Sequence, residues 1–338
     1  MTTTETVDAQ KIYRESVVVD GSIAPRISDE YLERVVASGV TAVNWTVCRP
    51  WGHFVGAMEQ IGRGLEVIAN HPKLTLALTA ADITTAKADG KVAVIFGPQN
   101  ALPAEGIDGG FRILHQMGVR ILQLTYNERN AYGDGAPEPA NAGLSNAGVA
   151  AVKELNRLGI AIDLSHCGDR TTLEAIEQSA HPVLFTHANA RALLDNVRNK
   201  TDEQIKALAE RGGVIGLTLY SLFLRKDQQP TLDDFVRHFS YVADLVGVEH
   251  IGIGTDHSEG APRGPWEEEF GVNGLYPTVI GEARTWFAYD TRFAAGATTI
   301  SDFPAIVDAL SGLGLTEAEL AGVLGGNFQR VFETVWGA

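Results

Sequence analysis

Two histidines, His166 and His187, each follow a short apolar run within the stretch DLSHCGDRTTLEAIEQSAHPVLFTHANA, which covers residues 163–190. Neutral imidazole is a common zinc ligand, and two imidazoles with one oxygen or sulfur donor leave a position open for an activated water. A histidine at the end of a strand can instead make a structural hydrogen bond. We interpret the pair as a metal site, because neighbouring strands would bring the two rings to one ion.

Three further side chains have types suited to chemistry. Asp256 follows the glycine-rich run IGIGT and could be a metal ligand, a proton shuttle or a cap. Arg198 precedes a helix that Thr201 can cap, and it could hold a substrate carboxylate with two hydrogen bonds or form a surface salt bridge. Cys48 could be a metal ligand or a nucleophile, although no neighbour in the sequence identifies its base.

Eight apolar runs are predicted to be the strands that position these residues. Most of them are continuous rather than alternating in polarity, which is typical of parallel strands covered on both faces. The runs are residues 16–20, 41–47, 92–97, 119–125, 160–164, 183–186, 214–219 and 251–255. Helical patterns lie between several of them, and no glycine-rich dinucleotide motif follows the first run. We therefore predict an α/β fold, a (β/α)8 TIM-type barrel, whose site lies at the carboxyl ends of the strands.

The organisation of the chain predicts one domain over residues 1–338. No linker divides the chain, and no repeat is visible beyond the alternation of strands and helices. Residues 257–299 form a long segment rich in glycine, proline and aromatic residues. A segment of this kind favours a lid-like insertion over the site.

Charge and cysteine content limit the partners and the compartment. The chain has 27 basic and 42 acidic residues, a net charge of −15, and no basic cluster that could follow a phosphate backbone. We therefore expect a small-molecule substrate and neither a nucleic acid nor a membrane partner. Two cysteines and the polar N-terminal stretch MTTTETVDAQKIYRE predict a cytoplasmic protein, and no apolar run is long enough to cross a bilayer.

Several phrases of the sequence resemble the membrane dipeptidase family, also called renal dipeptidase or peptidase family M19. These phrases are ELNRLGIAIDLSH, TH followed by RNKTDEQ, ALAERGGVIGL, IGIGTD and GGNFQRV. The resemblance implies a barrel related to the amidohydrolases, a homodimer, and two zinc ions that activate a hydroxide to cleave dipeptides. It also implies that His166 and His187 bind the second zinc, that Asp256 handles the proton and that Arg198 binds the substrate carboxylate.

The chain departs from the family pattern at three places. Ser22 and Ala24 stand where the family has the His-x-Asp pair of the first zinc, and Gln99 replaces the bridging glutamate. Tyr126 stands in place of a substrate-binding histidine. A neutral amide is a poorer bridge between two cations than a carboxylate, so we expect one zinc ion rather than two. His166, His187 and Gln99 are the expected ligands, with Asp256 and Cys48 as alternatives.

These observations favour a metal-dependent hydrolase that cleaves an amide, dipeptide-like bond in a small carboxylate-bearing substrate. Asp256 and Tyr126 are the predicted catalytic residues, while Arg198, Asn127 and Asn130 are predicted to bind the substrate. Two alternatives remain open on the same barrel. One is a lyase or isomerase, and the other is a catalytically silent protein that binds a small molecule.

Overall fold

The computed structural model describes residues 8–337, apart from the side chain of Glu282. Nine parallel strands form one sheet. In chain order they are β1 (Val19–Ile23), β2 (Ala42–Trp45), β3 (Leu74–Leu76), β4 (Val92–Phe96), β5 (Ile121–Gln123), β6 (Ala161–Asp163), β7 (Leu184–Ala188), β8 (Val214–Leu217) and β9 (Ile251–Ile253). Residues 1–7, which hold about half of the polar stretch used to predict the compartment, lie outside the described range.

Helices alternate with these strands along the chain. They are α1 (Ala9–Glu15), α2 (Asp29–Ser38), α3 (Phe54–Asn70), α4 (Ala80–Ala88), α5 (Gly110–Gln116), α6 (Asn146–Leu158), α7 (Asp169–Gln178), α8 (Asp202–Glu210), α9 (Leu232–Val246), α10 (Arg263–Phe270), α11 (Pro277–Ile280), α12 (Phe303–Ser311), α13 (Glu317–Ala321) and α14 (Asn327–Trp336). Thr201 and Gln204 form the expected capping box at the start of α8. No helix within residues 8–337 combines the length and the apolar character needed to cross a membrane.

The sheet closes into a barrel. Its strand order is β3-β4-β2-β1-β9-β8-β7-β6-β5. A parallel bridge between Phe96 and Val119 joins the end of β4 to the residues just before β5, and the amide of Arg120 donates to the Phe96 carbonyl at 3.1 Å. This closure confirms the predicted (β/α)8 barrel. The additional strand β3 pairs with the first three residues of β4. The chain before β5 pairs with the same edge of β4 further along, at Phe96.

Glycines bring the strands close together inside the barrel. A Cβ atom on Gly252 would lie 2.4 Å from the Phe328 ring, and one on Gly254 would lie 1.8 Å from the Thr186 carbonyl oxygen. Side chains are therefore excluded at these two positions of the IGIGT run. As a result β7 approaches β9 across the interior, which places Thr186 and His187 near the residues that follow β9.

The first strand begins later than predicted. The sequence favoured residues 16–20, whereas β1 covers Val19–Ile23. Ser22 therefore lies within the strand rather than after it, as Asp20 does, and both residues are buried.

Residues 257–299 cover one side of the barrel mouth with α10, α11 and two short 3-10 helices at Gly281–Thr285 and Tyr289–Thr291. Trp266, Tyr276 and Val279 from this segment share an apolar cluster with Tyr126 and Phe223 of the barrel. The segment is thus anchored by its aromatic side chains and forms an outer wall of the mouth.

Candidate active site

A cavity of about 800 Å³ opens at the carboxyl ends of the strands. Its wall includes most of the residues predicted from the sequence to form a site, namely Gln99, Tyr126, Asn127, His166, Arg198 and Asp256. His187 is fully buried and lies behind His166. The barrel therefore brings these predicted residues together at one end, as the strand-end argument requires.

The two histidine rings meet directly. His166 Nε2 lies 2.9 Å from His187 Nε2. On the far side of each ring, His166 Nδ1 lies 2.7 Å from Asn127 Oδ1, and His187 Nδ1 lies 2.8 Å from the Thr186 hydroxyl. Each imidazole is thus held by a partner on its Nδ1 atom while its Nε2 atom faces the other ring.

These partners decide which ring nitrogen carries the proton. The Thr186 hydroxyl donates its one proton to Asp163 Oδ2 at 2.7 Å, so it accepts from His187 Nδ1. Asn127 Oδ1, an amide oxygen, accepts from His166 Nδ1. Both neutral rings therefore present an Nε2 lone pair to each other at 2.9 Å. Two lone pairs at this distance repel unless a cation lies between them or beside them.

Both imidazole rings are neutral at neutral pH, and the neutral ring is the form that binds a metal ion. Burial, and next the positive charge of Arg198, hold the pKa of both histidines well below the usual range. A hydrogen-bond acceptor on Nδ1 is also the usual support for an imidazole that binds metal through Nε2. Within residues 8–337, however, no three His, Cys, Asp or Glu side chains form a group that could hold a metal. A further protein ligand would have to be neutral, such as the Gln99 amide.

The place of the first zinc in the family pattern is occupied here by neutral groups. Gln99 Nε2 donates to Ser22 Oγ at 3.2 Å, and Ala24 lines the cavity without a donor atom in its side chain. The side chains of Ser22, Ala24 and Gln99 thus offer no charged ligand to a cation at this place.

Asp256 extends into the mouth from a left-handed backbone conformation with φ of 59°. Its amide donates to the Ser22 carbonyl at 2.9 Å. Burial raises the pKa of Asp256 to about 7, while Arg198 and the side chains of Gln99 and Ser22 act in the opposite direction. A carboxyl group with a pKa near neutrality is suited to accept and return a proton.

Arg198 is 1% exposed, so the surface salt bridge considered from the sequence is wrong. One of its terminal nitrogens, Nη1, donates to the Ser165 carbonyl. Its Nε and Nη2 atoms are buried and find no hydrogen-bond partner in the described structure. The guanidinium lies over the Phe223 ring at 5.1 Å and lines the cavity. Two unpaired donors of one planar group are a fitting counterpart for a carboxylate.

Tyr126 stacks on His166 with ring centroids 4.1 Å apart. Burial raises the pKa of Tyr126 well above its ordinary value, so the phenol stays protonated and can donate a hydrogen bond at neutral pH. Cys48 also lines the cavity, but burial raises its pKa to about 12. The thiol is therefore not a nucleophile at neutral pH.

Asn127 and Asn130 occupy different places. Asn127 lines the cavity, and its oxygen accepts from His166. Asn130 is not part of the cavity wall, because its amide nitrogen donates to Asn100 Oδ1 and to the Leu124 carbonyl while its oxygen accepts from the backbone of Tyr132. Asn130 thus stabilises the loop after β5, and its side chain does not reach the cavity.

Sequence reasoning missed two carboxylate clamps that hold the site together. In the β6–β7 clamp, Asp163 accepts from the amide and the hydroxyl of both Ser165 and Thr186 at 2.6–3.0 Å. In the β1–β9 clamp, Asp20 accepts from the amide of Ser22 at 3.2 Å and from the amide and hydroxyl of Thr255 at 2.9 and 2.6 Å. The repeated pattern Asp-x-Ser, with a threonine directly before His187 and Asp256, is the signal that could have found them.

Comparisons with known proteins identify the family of the chain. The chain is 29% identical to the dipeptidase verJ of Clonostachys rogersoniana over 268 residues, which are 78% of this chain and 60% of that protein. It is 28% identical to dipeptidase 3 of Mus musculus over 285 residues, or 82% of this chain and 51% of that protein. The chain thus spans about half to three fifths of the length of these curated relatives.

Solved structures give the same result. An amidohydrolase from Pseudomonas aeruginosa is 32% identical, with a TM-score of 0.88 over 98% of this chain and 100% of that chain. A metallopeptidase from Rhodobacter sphaeroides, liganded with a phosphinate mimic of the dipeptide L-Ala-D-Ala, shares the fold at 21% identity and a TM-score of 0.77, over 95% of this chain and 100% of that chain. The family model for membrane dipeptidase, peptidase family M19, matches residues 8–283. The chain therefore belongs to the membrane dipeptidase family, as the resemblance of its sequence predicted.

Proposed function

We propose that the protein is a metal-dependent hydrolase that cleaves an amide bond in a small substrate bearing a carboxylate. The observation that carries this proposal is the pair of opposed Nε2 atoms of His166 and His187, 2.9 Å apart and both holding lone pairs. Family membership supports the reaction class, because the curated relatives are named dipeptidases.

His166 and His187 would hold one zinc ion, with Gln99 as a neutral third ligand. When bound, the ion would supply a Lewis acid and a source of hydroxide near neutral pH. One ion rather than two follows from the neutral groups at Ser22 and Gln99.

The remaining steps fall to residues of the cavity wall. Arg198 binds the substrate carboxylate through its two unpaired donors, Nε and Nη2. Asp256 accepts a proton from the attacking water and returns it to the leaving nitrogen. Tyr126 keeps its proton at neutral pH and donates to the oxygen on which negative charge develops. Asn127 acts indirectly, because it orients His166 rather than contacting the substrate.

Metal content and a substrate panel test the proposal together. After gentle purification we expect about one equivalent of zinc per chain. The panel contains dipeptides and N-acyl amino acids with L or D residues at the carboxyl end. We expect hydrolysis of at least one class, and loss of turnover in His187→Ala.

Two outcomes would contradict the proposal in different ways. Turnover that survives both chelation and His187→Ala would favour a metal-free lyase or isomerase. Retention of a small acid without any turnover of the metal-loaded protein would favour a silent binding protein.

Three further features complete the proposal. We expect residues 257–299 to act as a lid within a single-domain chain, because aromatic side chains of this segment form the outer wall of the cavity. We expect a homodimer, by resemblance to the family. A cytoplasmic location agrees with Cys48 and Cys167, both of which are free thiols.

A further inference from the structure

The charge of the cavity wall is opposite to that of the whole chain. Acidic residues outnumber basic residues by 42 to 27 in the sequence. Yet the described cavity wall contains the four arginines Arg26, Arg49, Arg63 and Arg198 and only two acidic residues, Asp256 and Glu269. Burial raises the pKa of Glu269 to about 7, while the positive charge of Arg49 acts in the opposite direction. The cavity is therefore a positively charged region of an acidic protein and attracts anions.

Three of these arginines form a β2-side cluster, which we define as Arg26, Arg49 and Arg63. Arg26 follows β1, Arg49 follows β2, and Arg63 lies on α3, the helix after β2. All three are exposed, and none makes a salt bridge with another residue among those described. The three side chains therefore present positive charge to the cavity.

The β2-side cluster lies across the barrel mouth from Arg198. Around the closed barrel the strands follow one another as β1, β2, β4, β5, β6, β7, β8 and β9. Arg198 belongs to the loop after β7, which is four strands away from β2 in either direction. With strands about 4.8 Å apart and tilted by about 36°, an eight-stranded barrel is about 15 Å wide. Side chains that project into the mouth shorten this distance. The remaining space suits a molecule of two linked residues or an acyl amino acid.

An apolar surface lies between the two charged ends. Trp51 packs edge-on against Tyr126 with ring centroids 6.4 Å apart, and Phe270 lies 6.4 Å from Trp51. The Arg49 guanidinium lies 6.0 Å from the centre of the Trp51 ring, at the outer end of this surface. The order of groups across the mouth is therefore guanidinium, aromatic rings, histidine pair and guanidinium.

We propose that the substrate is an amide with an anionic group at each end. One carboxylate binds Arg198, and a second anionic group on the acyl half faces Arg26, Arg49 and Arg63. This inference rests on the proposed hydrolase function. Hydrolysis breaks the amide C–N bond; the oxygen of water joins the acyl carbon, and the nitrogen receives a proton, so the products are an acid with two anionic groups and an amino acid.

Matched substrates that differ only in the second charge test the inference. The probes are N-succinyl-phenylalanine and its neutral isostere N-succinamoyl-phenylalanine, each as the L and D form. We expect a kcat/KM about tenfold higher for the succinyl compound, mainly through KM, because a charge-assisted contact at a partly exposed site is worth about 1.4 kcal/mol. The preference should decrease as salt concentration rises.

Variants then test whether the β2-side cluster causes the preference for the succinyl compound. In the double variant Arg49→Gln with Arg63→Gln, we expect the ratio of kcat/KM between the two substrates to fall close to one. Arg112→Gln is the matched control, because Arg112 is exposed on α5 and lies outside the cavity wall. It removes the same type of charge and should leave the ratio unchanged.

A binding measurement separates this inference from the proposed function. Calorimetric titration compares the affinity of the two compounds for the protein, and it requires no turnover. Equal affinity, or tighter binding of the neutral compound, overturns the inference even if both compounds are hydrolysed. Tighter binding of the succinyl compound, abolished in the double variant, supports the inference even if no amide is cleaved, in which case only the hydrolase proposal fails.

Discussion

Removal of the Thr186 hydroxyl should weaken metal binding at a histidine that the substitution does not touch. In Thr186→Val, the Nδ1–H of His187 loses its acceptor, and Asp163 Oδ2 loses a donor at 2.7 Å. Each buried polar group left without a partner costs about 1–3 kcal/mol, so the loss of two partners should lower the free energy of unfolding by roughly 2–6 kcal/mol. Loss of the partner that orients a metal-binding imidazole lowers metal affinity about 10–100-fold.

Two control variants separate the effect on the metal from the effect on stability. Thr186→Ser keeps the hydroxyl and should retain zinc affinity. Thr255→Val breaks the equivalent contact with Asp20 in the β1–β9 clamp, where the hydroxyl accepts from the backbone amide of His257 but from no imidazole ring. It should lower the free energy of unfolding by a comparable amount but leave the zinc affinity of the folded protein within about twofold.

Three measurements decide the matter. Zinc affinity is measured by competition with a chromogenic chelator, unfolding by urea titration, and the tautomer of His187 by ¹⁵N chemical shifts of the metal-free protein. The reasoning is refuted if Thr186→Val and Thr255→Val reduce zinc affinity equally. It is also refuted if the ¹⁵N shifts of His187 are the same with and without the hydroxyl.

Two further predictions concern ionisation. Asp256 must be deprotonated to accept a proton, so kcat/KM should fall as the pH drops below about 7. Because Arg198 lowers the pKa of Asp256, this fall should begin at a higher pH in Arg198→Met. A pH-rate profile of the variant with the fall at the same pH would contradict the role of Asp256. Lys200 is buried and donates to the carbonyls of Leu164 and Cys167 at 2.7 and 3.1 Å, and burial lowers its pKa from 10.5 to about 7. The folded protein therefore binds a proton at Lys200 less readily than the unfolded chain does. As the pH rises above about 7, the unfolding free energy of the native protein should increase relative to that of Lys200→Met. Urea titrations of both proteins across this range measure the slope, and a difference that is independent of pH would disprove the lowered pKa of Lys200.

The barrel could be predicted from the sequence because its strands are buried on both faces and therefore appear as continuous apolar runs. The strand β3 was missed for a physical reason. It has only three residues, Leu74, Thr75 and Leu76, and two of them are half-buried, so its pattern is too short and too mixed to stand out. The extension of β1 past residue 20 was missed for a different reason, because Asp20 and Ser22 are polar residues that their hydrogen bonds allow to lie inside a buried strand.

The sequence indicated those parts of the site that follow directly from which residues end the strands. It did not indicate those parts that depend on the register between neighbouring strands. His166 and His187 could be paired because they follow consecutive strands. The clamp beneath them requires Asp163 to lie opposite Leu184, which is a property of the sheet and not of either strand alone. Asn130 shows the converse error, because a polar residue in a loop near the site is as readily used to hold the loop as to bind a ligand.

The two carboxylate clamps have a consequence for how this scaffold can change. Each fastens a seam between neighbouring strands with hydrogen bonds that need no metal, and one of them survives beside Ser22 and Ala24, where the family pattern has zinc ligands. Metal-binding side chains next to the β1–β9 clamp can therefore be substituted without weakening the contact between these two strands. The barrel therefore keeps its backbone structure when the side chains at the carboxyl ends of its strands change, so that a different reaction can arise on the same scaffold.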